Sequence, residues 1–474
     1  MQFSLTKRIP FEIQLPDSLQ EAIGLLIQKG ASCRLVGGCV RDALLERSPK
    51  DFDVEVYGLS LETISTALQA LGKTDTVGKS FCVVKLWSRG DEYDFAIPRR
   101  ESKTASGHRG FEIEGDATMS EQEAITRRDF TLNALLYDPS KKEVIDHCNG
   151  LQDLENKVLR HVSPAFAEDP LRVLRAMQFA ARFDLTLHPD TAQLCQCMKP
   201  EYWSLAKERI WGEWQKWASQ SLYPARGLEV LKDSGWLSFF PELYALVDLP
   251  QDPEWHPEGS VWIHTQKCTE ALLKHTDWKE LDSEARSILL LSVLCHDLGK
   301  ARCTRFASKN GILRWISPGH DQVSGWLSGQ FLQNIGAPLS IIEKVVPLVK
   351  SHHFLNTGND NIPGDNGIRR LARRISPATI NQLIYVLISD HLGRPPLTSE
   401  AQTKRIALFK ERAEQLSIKV ESPKPIILGR HLIKLGHKPG PGFKNVLDAA
   451  FEAQLDGAFH DEVGGITWLS NNLE

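Results

Sequence analysis

The sequence predicts a mixed sheet with helices, an α/β or α+β head, and three stretches carry that prediction. Residues 34–57, RLVGGCVRDALLERSPKDFDVEVY, read as a strand, a Gly37-Gly38 turn, a short helix carrying Arg41 and Asp42, and a second strand holding Asp51 and Asp53. Residues 17–30 run from Asp17-Ser18 to Gly30 in the pattern of a capped helix that delivers the chain to the first of those strands. Residues 61–71 read as another helix, and residues 81–87 and 92–97 as two further strands, the second bearing Asp94.

Residues two apart on a strand project to one face, so Asp51 and Asp53 point together while Phe52 and Val54 turn into the protein. Two carboxylates side by side repel, and cations between them relieve the repulsion. Hard oxygen ligands suit Mg²⁺, which commonly shares its shell with substrate phosphates. The Gly-Gly turn adds backbone N–H groups that can approach a phosphate with no Cβ in the way. The combination points to transfer of a nucleotide from a nucleoside triphosphate.

A chain of 474 residues has room for about three domains. With a net charge of −4, an RNA partner has to be held by local basic patches and not by the overall field. The nine cysteines form no spaced framework, and Cys195 with Cys197 lacks a second pair at zinc-site spacing, so they read as ordinary thiols of a reducing compartment. No apolar run reaches the length of a signal peptide or a membrane span, which sets the expectation of a cytoplasmic protein.

Residues 99–116, RRESKTASGHRGFEIEGD, are rich in Gly, Ser and both charge signs and read as a mobile arm. Residues 126–138, TRRDFTLNALLYD, read as a helix whose apolar side chains pack inward while Arg127, Arg128, Asp129, Thr131 and Asn133 offer donors and acceptors. Adjacent arginines at a helix start oppose the macrodipole unless an anion waits for them, and a triphosphate would explain the choice.

Residues 167–183, AEDPLRVLRAMQFAARF, place Asp169 as the N-cap residue and Pro170 at the first helical position, with Leu171, Leu174 and Met177 at helical spacing. Asp169 and Arg172, three apart, share a face. A carboxylate that accepts beside a guanidinium that donates matches a base edge offering an amino group next to a ring nitrogen. Cytosine and adenine have that edge, whereas uracil and guanine present a carbonyl in place of the amino group. A protein could thereby choose C and A without a template.

These motifs, together with IDHCNGLQDLENKVLRHV at 145–162 and ERIWGEW at 208–214, stand in the order found in class II tRNA nucleotidyltransferases, and the head resembles those enzymes. The resemblance implies an α+β chain: a polymerase-beta-like nucleotidyltransferase head with a five-stranded sheet, then an all-α neck, further helical domains and a helical tail. It implies Mg²⁺ on Asp51 and Asp53, and a triphosphate and metal region at Gly37, Gly38, Arg41 and Asp42. Arg127, Arg128, Asp129 and Asn133 match the ribose and phosphate motif. Asp169 and Arg172 match the base-selecting pair, with Arg175 behind it, and Arg209 and Glu213 match the motif that steadies that helix. The implied partners are tRNA, CTP and ATP. Residues 99–116 resemble the element used in switching from CTP to ATP, and bacterial poly(A) polymerases have closely similar heads.

Beyond residue 235 the chain carries WHPEGSVWIHT, VLCHDLGKA, GHDQVSG, SHHF and ISDHLGRP. Burying a His-Asp doublet on an apolar helix needs strong compensation, which metal coordination provides. His264, His296, Asp297 and Asp390 are the candidate ligands, with His320 and His352 or His353 between. This part resembles the HD phosphohydrolase domain fused to some bacterial tRNA nucleotidyltransferases, which implies cyclic phosphodiesterase or phosphatase activity with Mg²⁺, Mn²⁺ or Ni²⁺. Trp255, Trp262 and Trp315 read as core residues, and His256 matches a histidine of these fusions.

The tail carries Lys404, Arg405, Lys410, Arg412 and a Gly/Pro turn with Lys438 and Lys444, read as a tRNA-facing end. The expected organisation is head 1–160, neck 161–235, HD domain 236–395 and tail 396–474, in a monomer or homodimer. Alternatives are a poly(A) polymerase or A-adding enzyme on the same head, and a nucleotide phosphohydrolase whose head only binds RNA.

Overall fold

A computed structural model describes residues 6–49, 51–77, 82–103, 111–355, 362–396 and 399–472. The chain forms two compact units, residues 1–213 with 226–238 and residues 214–225 with 239–474.

The first unit runs β1 (Lys7–Pro10), α1 (Asp17–Gln28), β2 (Ser32–Val36), α2 (Gly38–Leu44), β3 (Asp53–Tyr57), α3 (Leu61–Leu68), β4 (Lys73–Val77), β5 (Val83–Ser88) and β6 (Asp91–Ala96). It continues through β7 (Arg99–Lys103), β8 (Phe111–Gly115), α4 (Glu121–Ile125), β9 (Leu136–Asp138), β10 (Glu143–Asp146), α5 (Gly150–Glu155), β11 (Val158–Leu159), α6 (Leu171–Phe183) and β12 (Thr186–Leu187). After α7 (Pro189–Cys197), α8 (Lys207–Gln220) and α9 (Pro224–Asp233), the second unit begins its own helices.

The main sheet has eight strands in the order β1-β10-β9-β2-β3-β6-β5-β4, not the five that the resemblance implied. β3 and β6 are parallel and the remaining pairs antiparallel, so the sheet is mixed as expected. Leu19, Ala22, Ile23 and Leu26 of α1 and Ile64 and Leu68 of α3 bury against Val54, Val56, Val84, Leu86 and Phe95 of the sheet. Their spacing in α1 puts all four on one stripe. α1 starts without a side-chain cap and stops before Gly30, whose φ of 94° suits glycine.

Several expectations are corrected. Asp51 precedes β3 instead of lying in it, although Phe52 and Val54 are buried and Asp51 and Asp53 exposed, as alternation requires. α3 ends at Leu68, before Leu71. Residues 126–138 do not form a helix: a capping box at Ser120 and Glu123 starts α4 earlier, a single 3-10 turn covers Thr131–Asn133, and β9 follows. Leu136 and Tyr137 join the sheet edge of β2, and that non-local pairing overrides the helical pattern. Arg127 and Arg128 therefore follow the C-terminal end of α4, where cations favour the dipole, and the argument from a helix start does not apply. The ends of the expected arm at 99–116 pair as the β7–β8 hairpin, while residues 104–110 lie outside the described residues, as does Phe81. The region expected to be an all-α neck contains the short strand β12, which pairs in parallel with β11 of the expected head.

The second unit comprises α10 (Pro241–Tyr244), α11 (Val261–Leu272), α12 (Ser283–Cys295), α13 (Lys300–Cys303), β13 (Arg305–Lys309), β14 (Ile312–Ile316), α14 (His320–Asn334), α15 (Leu339–Ser351), α16 (Asp365–Ile375), α17 (Ile380–Leu392) and α18 (Glu400–Gln415). It ends in α19 (Gly429–Lys434), α20 (Gly442–Leu455) and α21 (Glu462–Asn472). α11 packs on α12 and α17, and α12 on α15. The β13–β14 hairpin stands in a remainder expected to be mostly helical. Of the three tryptophans expected in the core only Trp262 is buried, and Trp255 is 55% exposed. The basic residues of α18 are partly engaged: Arg412 forms a bidentate pair with Asp365 at 2.6 Å and Lys404 meets Glu400 at 2.8 Å. No described helix is long and apolar enough to cross a membrane.

Candidate active site and metal centre

β3 starts with Asp53 because Val36, the last residue of β2, pairs with it on one side and Asp94 of β6 on the other. Register neighbours on adjacent strands project to the same face, so Asp53 and Asp94 stand side by side. Although Asp53 as a residue is open to solvent, the protein around its carboxyl first, and then Asp94 and Asp51, push that group above its ordinary value, while Arg128 and Lys85 oppose the rise. The Lys85 ammonium lies 3.0 Å from Asp94. A crowded carboxylate pair of this kind fits a divalent cation with oxygen ligands.

Gly37, at φ 76°, leaves room against this pair: a Cβ there would lie 3.5 Å from Nη1 of Arg128 and 3.9 Å from Oδ2 of Asp53. Asp53, Glu55, Asp94, Arg127, Arg128, Asp169, Arg172 and Arg209 line one cavity of about 730 Å³. Asp53 and Asp94 thus open onto the same space as the candidate base-reading pair, while Asp51 does not line it. Asp169 is held twice: its Oδ1 accepts from the Leu171 N–H at 3.1 Å, and its Oδ2 accepts from Nη2 of Arg209 at 2.9 Å. α6 begins at Leu171 with Pro170 at its N-cap, one residue later than expected, and the Asp169 carboxylate reaches the Leu171 N–H from just outside the helix. Arg172 does not bond Asp169; its guanidinium donates to the carbonyls of Ala165 (2.9 Å) and Arg127 (2.7 Å). Arg127 donates to the carbonyl of Arg99, and burial, followed by Arg99, pulls its pKa down to about 10.

Arg41, Asp42, Asn133, Asp129 and Arg175 do not line that cavity and bond one another instead. Arg41 donates to Asp42 (2.7 Å) and to Asn133 (2.6 Å), Asn133 donates to Asp129 (3.0 Å), and Arg175 grips the other oxygen of Asp129 at 2.7 and 2.9 Å. The chain of bonds ties α2, the Thr131–Asn133 turn and α6 together. Gly38 faces it, with Nη2 of Arg41 3.5 Å from where a Cβ would be. Glu213 is buried and adds its charge to that of Asp129 and Asp169 around Arg175. Glu55 escaped the sequence reading, although it extends the alternation of Asp51 and Asp53 by one step.

In the second unit His296 caps the C-terminal end of α12, followed by Asp297. Asp297 Oδ2 lies 3.2 Å from His296 Nε2 and 2.7 Å from Lys300 Nζ, and its Oδ1 lies 3.1 Å from His320 Nε2 and 3.8 Å from His352 Nε2. His264 Nε2 is 3.2 Å from Asp390 Oδ1 and 3.3 Å from His296 Nε2. His296, His320 and His352 each place Nδ1 2.6–2.7 Å from the carbonyl three residues earlier, a bond only an Nδ1–H can make. All three Nε2 atoms turn toward Asp297, and a ring that keeps only its Nδ1 proton offers the Nε2 lone pair there. Nδ1 of His264 meets Glu258 at 2.8 Å, the carboxylate–histidine pairing that orients a metal-binding ring.

These donors fit one or two transition ions, and the sequence-based set of His264, His296, Asp297, Asp390 and His320 comes together. Between the two adjacent histidines, His352 faces Asp297, while His353 packs on His320 at 4.4 Å between centroids and lines a cavity of about 1020 Å³. Burial and the neighbouring histidines hold the pKa of His352 well below its usual value, which keeps its lone pair free. Lys300, Lys309, Arg314 and Arg394 line the same cavity with Asp297, His320 and Asp390. Sequence reading missed Glu258, Cys268, Lys300 and Arg394. Cys268, Lys300 and Arg394 were within reach, each standing three or four residues from a named ligand on a helical path.

Residues 33–160 match the family model described as the Poly A polymerase head domain. The multifunctional CCA protein of Nitrosococcus oceani is 34% identical over 370 residues, covering 77% of this chain and 85% of that protein. That of Psychromonas ingrahamii is 36% identical over 373 residues, covering 76% and 84%. Among solved structures, the Bacillus stearothermophilus CCA-adding enzyme in complex with CTP superposes with a TM-score of 0.62 at 21% identity, covering 96% of this chain and 98% of that one. The Thermotoga maritima CCA-adding enzyme complexed with tRNA gives a TM-score of 0.60 at 20% identity, covering all of both chains. The shared fold, and a sequence likeness that extends well past the head, mean that this chain belongs to the family of multifunctional CCA proteins.

Proposed function

We propose that the head is a template-independent CTP:ATP tRNA nucleotidyltransferase that adds or repairs the 3′-terminal CCA of tRNA. The observation that carries this reading is the single cavity shared by Asp53, Asp94, Asp169 and Arg172. Asp53 and Asp94, with Asp51 beside them, are the residues that would hold Mg²⁺, which when bound activates the RNA 3′-hydroxyl and neutralises the departing pyrophosphate. Arg127 and Arg128 supply positive charge on the same wall for the triphosphate. Asp169 accepts from the exocyclic amine of C or A, and Arg172 donates to the adjacent ring nitrogen. Arg209 and the backbone of Leu171 hold the carboxylate, and two carbonyls hold the guanidinium, so neither group reorganises when the base arrives. A uracil or guanine carbonyl would face a carboxylate with no proton between them.

The test offers tRNA lacking CCA, CA or A, with CTP and ATP separately and together. Addition of two C residues and one A, then arrest, supports the reading. Continued AMP addition with no use of CTP would assign a poly(A) polymerase instead.

The second unit is proposed as a metal-dependent phosphohydrolase acting on phosphate monoesters or cyclic phosphodiesters. The convergence of three Nε2 atoms on Asp297 supports metal binding, and the four cationic side chains lining its cavity support a phosphate-bearing substrate. His296→Ala is expected to abolish hydrolysis of a 2′,3′-cyclic phosphate and to leave CMP and AMP incorporation intact. Unchanged hydrolysis in that variant would remove this part of the reading.

A further inference from the structure

We infer that Cys268 is a protein ligand of the metal centre in the second unit, making the His264 end of that centre a mixed nitrogen, oxygen and thiolate site suited to a soft divalent ion such as Zn²⁺ or Co²⁺. The inference rests on the reading of this cluster as a metal centre and goes beyond it in naming a ligand and an ion class.

Three polar atoms crowd one ring nitrogen. His264 Nε2 lies 3.2 Å from Asp390 Oδ1, 3.3 Å from His296 Nε2 and 3.4 Å from Cys268 Sγ. One imidazole nitrogen offers one proton or one lone pair, so hydrogen bonding accounts for a single one of these approaches. A cation between the four atoms accounts for all three. With metal–nitrogen and metal–oxygen bonds of about 2.0–2.1 Å and a metal–sulfur bond of about 2.3 Å, a tetrahedron has N···N and N···O edges of about 3.3 Å and an N···S edge of about 3.5 Å. The three separations from His264 Nε2 match those edges, while His296 Nε2 and Asp390 Oδ1 are wider apart at 3.9 Å, and the four ligand atoms all lie within 4.8 Å of one another.

The thiol is placed by the fold. Cys268 follows His264 by one helical turn on α11, so both project from the same face. It is fully buried, and Gly393 makes room for it: a Cβ at that glycine would lie 2.2 Å from Cys268 Sγ. Asp297 is shared between this end and the group formed by His320, His352 and His353, which contains no sulfur. Thiolate favours Zn²⁺ and its spectroscopic stand-in Co²⁺ over Mg²⁺, and binding releases the thiol proton to solvent.

The experiment loads the purified full-length protein with Co²⁺ and records its absorption spectrum and metal content. A near-ultraviolet sulfur-to-cobalt charge-transfer band is expected in the wild type and is expected to vanish in Cys268→Ser, with at least a tenfold loss of Co²⁺ affinity, about the effect of losing a supporting group or more. Cobalt on the carboxylates of the head contributes no such band, and Cys197→Ser with Cys303→Ser, which removes two accessible thiols, keeps it. Cobalt bound to the second unit without a thiolate band, or a band that survives in Cys268→Ser, overturns this inference alone. Failure of the wild type to bind cobalt there overturns the metal-centre reading as well. Where Cys268→Ser fails to fold, absence of a thiolate band in the cobalt-loaded wild type still overturns the inference.

Discussion

Replacing Asp169 with Ala separates base choice from folding. The side chain makes two contacts, a cap to the Leu171 N–H and an ion pair to Arg209. Loss of a cap costs about 1 kcal/mol. The ion pair joins side chains 29% and 30% exposed, so solvent screening holds its share to about 1 kcal/mol or less. A total of about 1–2 kcal/mol lowers the melting temperature by only a few degrees in a unit of this size. The effect on base choice is larger, because a hydrogen bond to a charged group contributes about 1.5–3 kcal/mol. That corresponds to roughly 10- to 150-fold in the ratio of kcat/KM for CTP over UTP. The assay is single-nucleotide incorporation onto tRNA lacking CCA, with each of the four nucleoside triphosphates. Discrimination against UTP equal to that of the wild type, in a folded variant, would refute base reading by this pair.

The Asp53 carboxyl is raised above its ordinary value by burial, then Asp94, so the metal-free folded state keeps its proton to higher pH than the unfolded chain and loses stability as pH rises through that interval. Asp53→Asn is therefore expected to raise the metal-free melting temperature at pH 7 while abolishing incorporation, and Mg²⁺ is expected to raise the melting temperature of the wild-type head but not of this variant. Asp129 has the opposite sign: although burial opposes it, Arg175 and Asn133 hold its carboxyl below its ordinary value of 3.8, so its stabilisation is complete above that value and fades as pH falls toward the folded value. Melting curves taken from about pH 4 downward are expected to show a shallower acid dependence in Asp129→Asn. Gly393→Ala places a Cβ 2.2 Å from Cys268 Sγ, and overpacking of this kind costs about 1–3 kcal/mol, read by denaturant unfolding together with reduced metal content of the second unit.

The local devices were legible in the sequence: the Gly37-Gly38 turn into α2, the alternation about Asp53, the capped start of α6 and the paired His296 and Asp297 all depend on residues within a few positions of one another. Their order along the chain also sufficed to indicate the family. What tertiary structure decided is non-local. Asp94 becomes the companion of Asp53 only because β6 runs parallel beside β3, and residues 126–138 abandon a helical pattern because Leu136 and Tyr137 complete the sheet next to β2. Cys268, an ordinary thiol by spacing, meets Asp390 and His296 only when α11, α12 and α17 pack together. Periodicity reports which face a side chain occupies. Which carboxylate, ring or thiol stands opposite is settled by strand register and helix packing, where burial of distant apolar residues outweighs local preference.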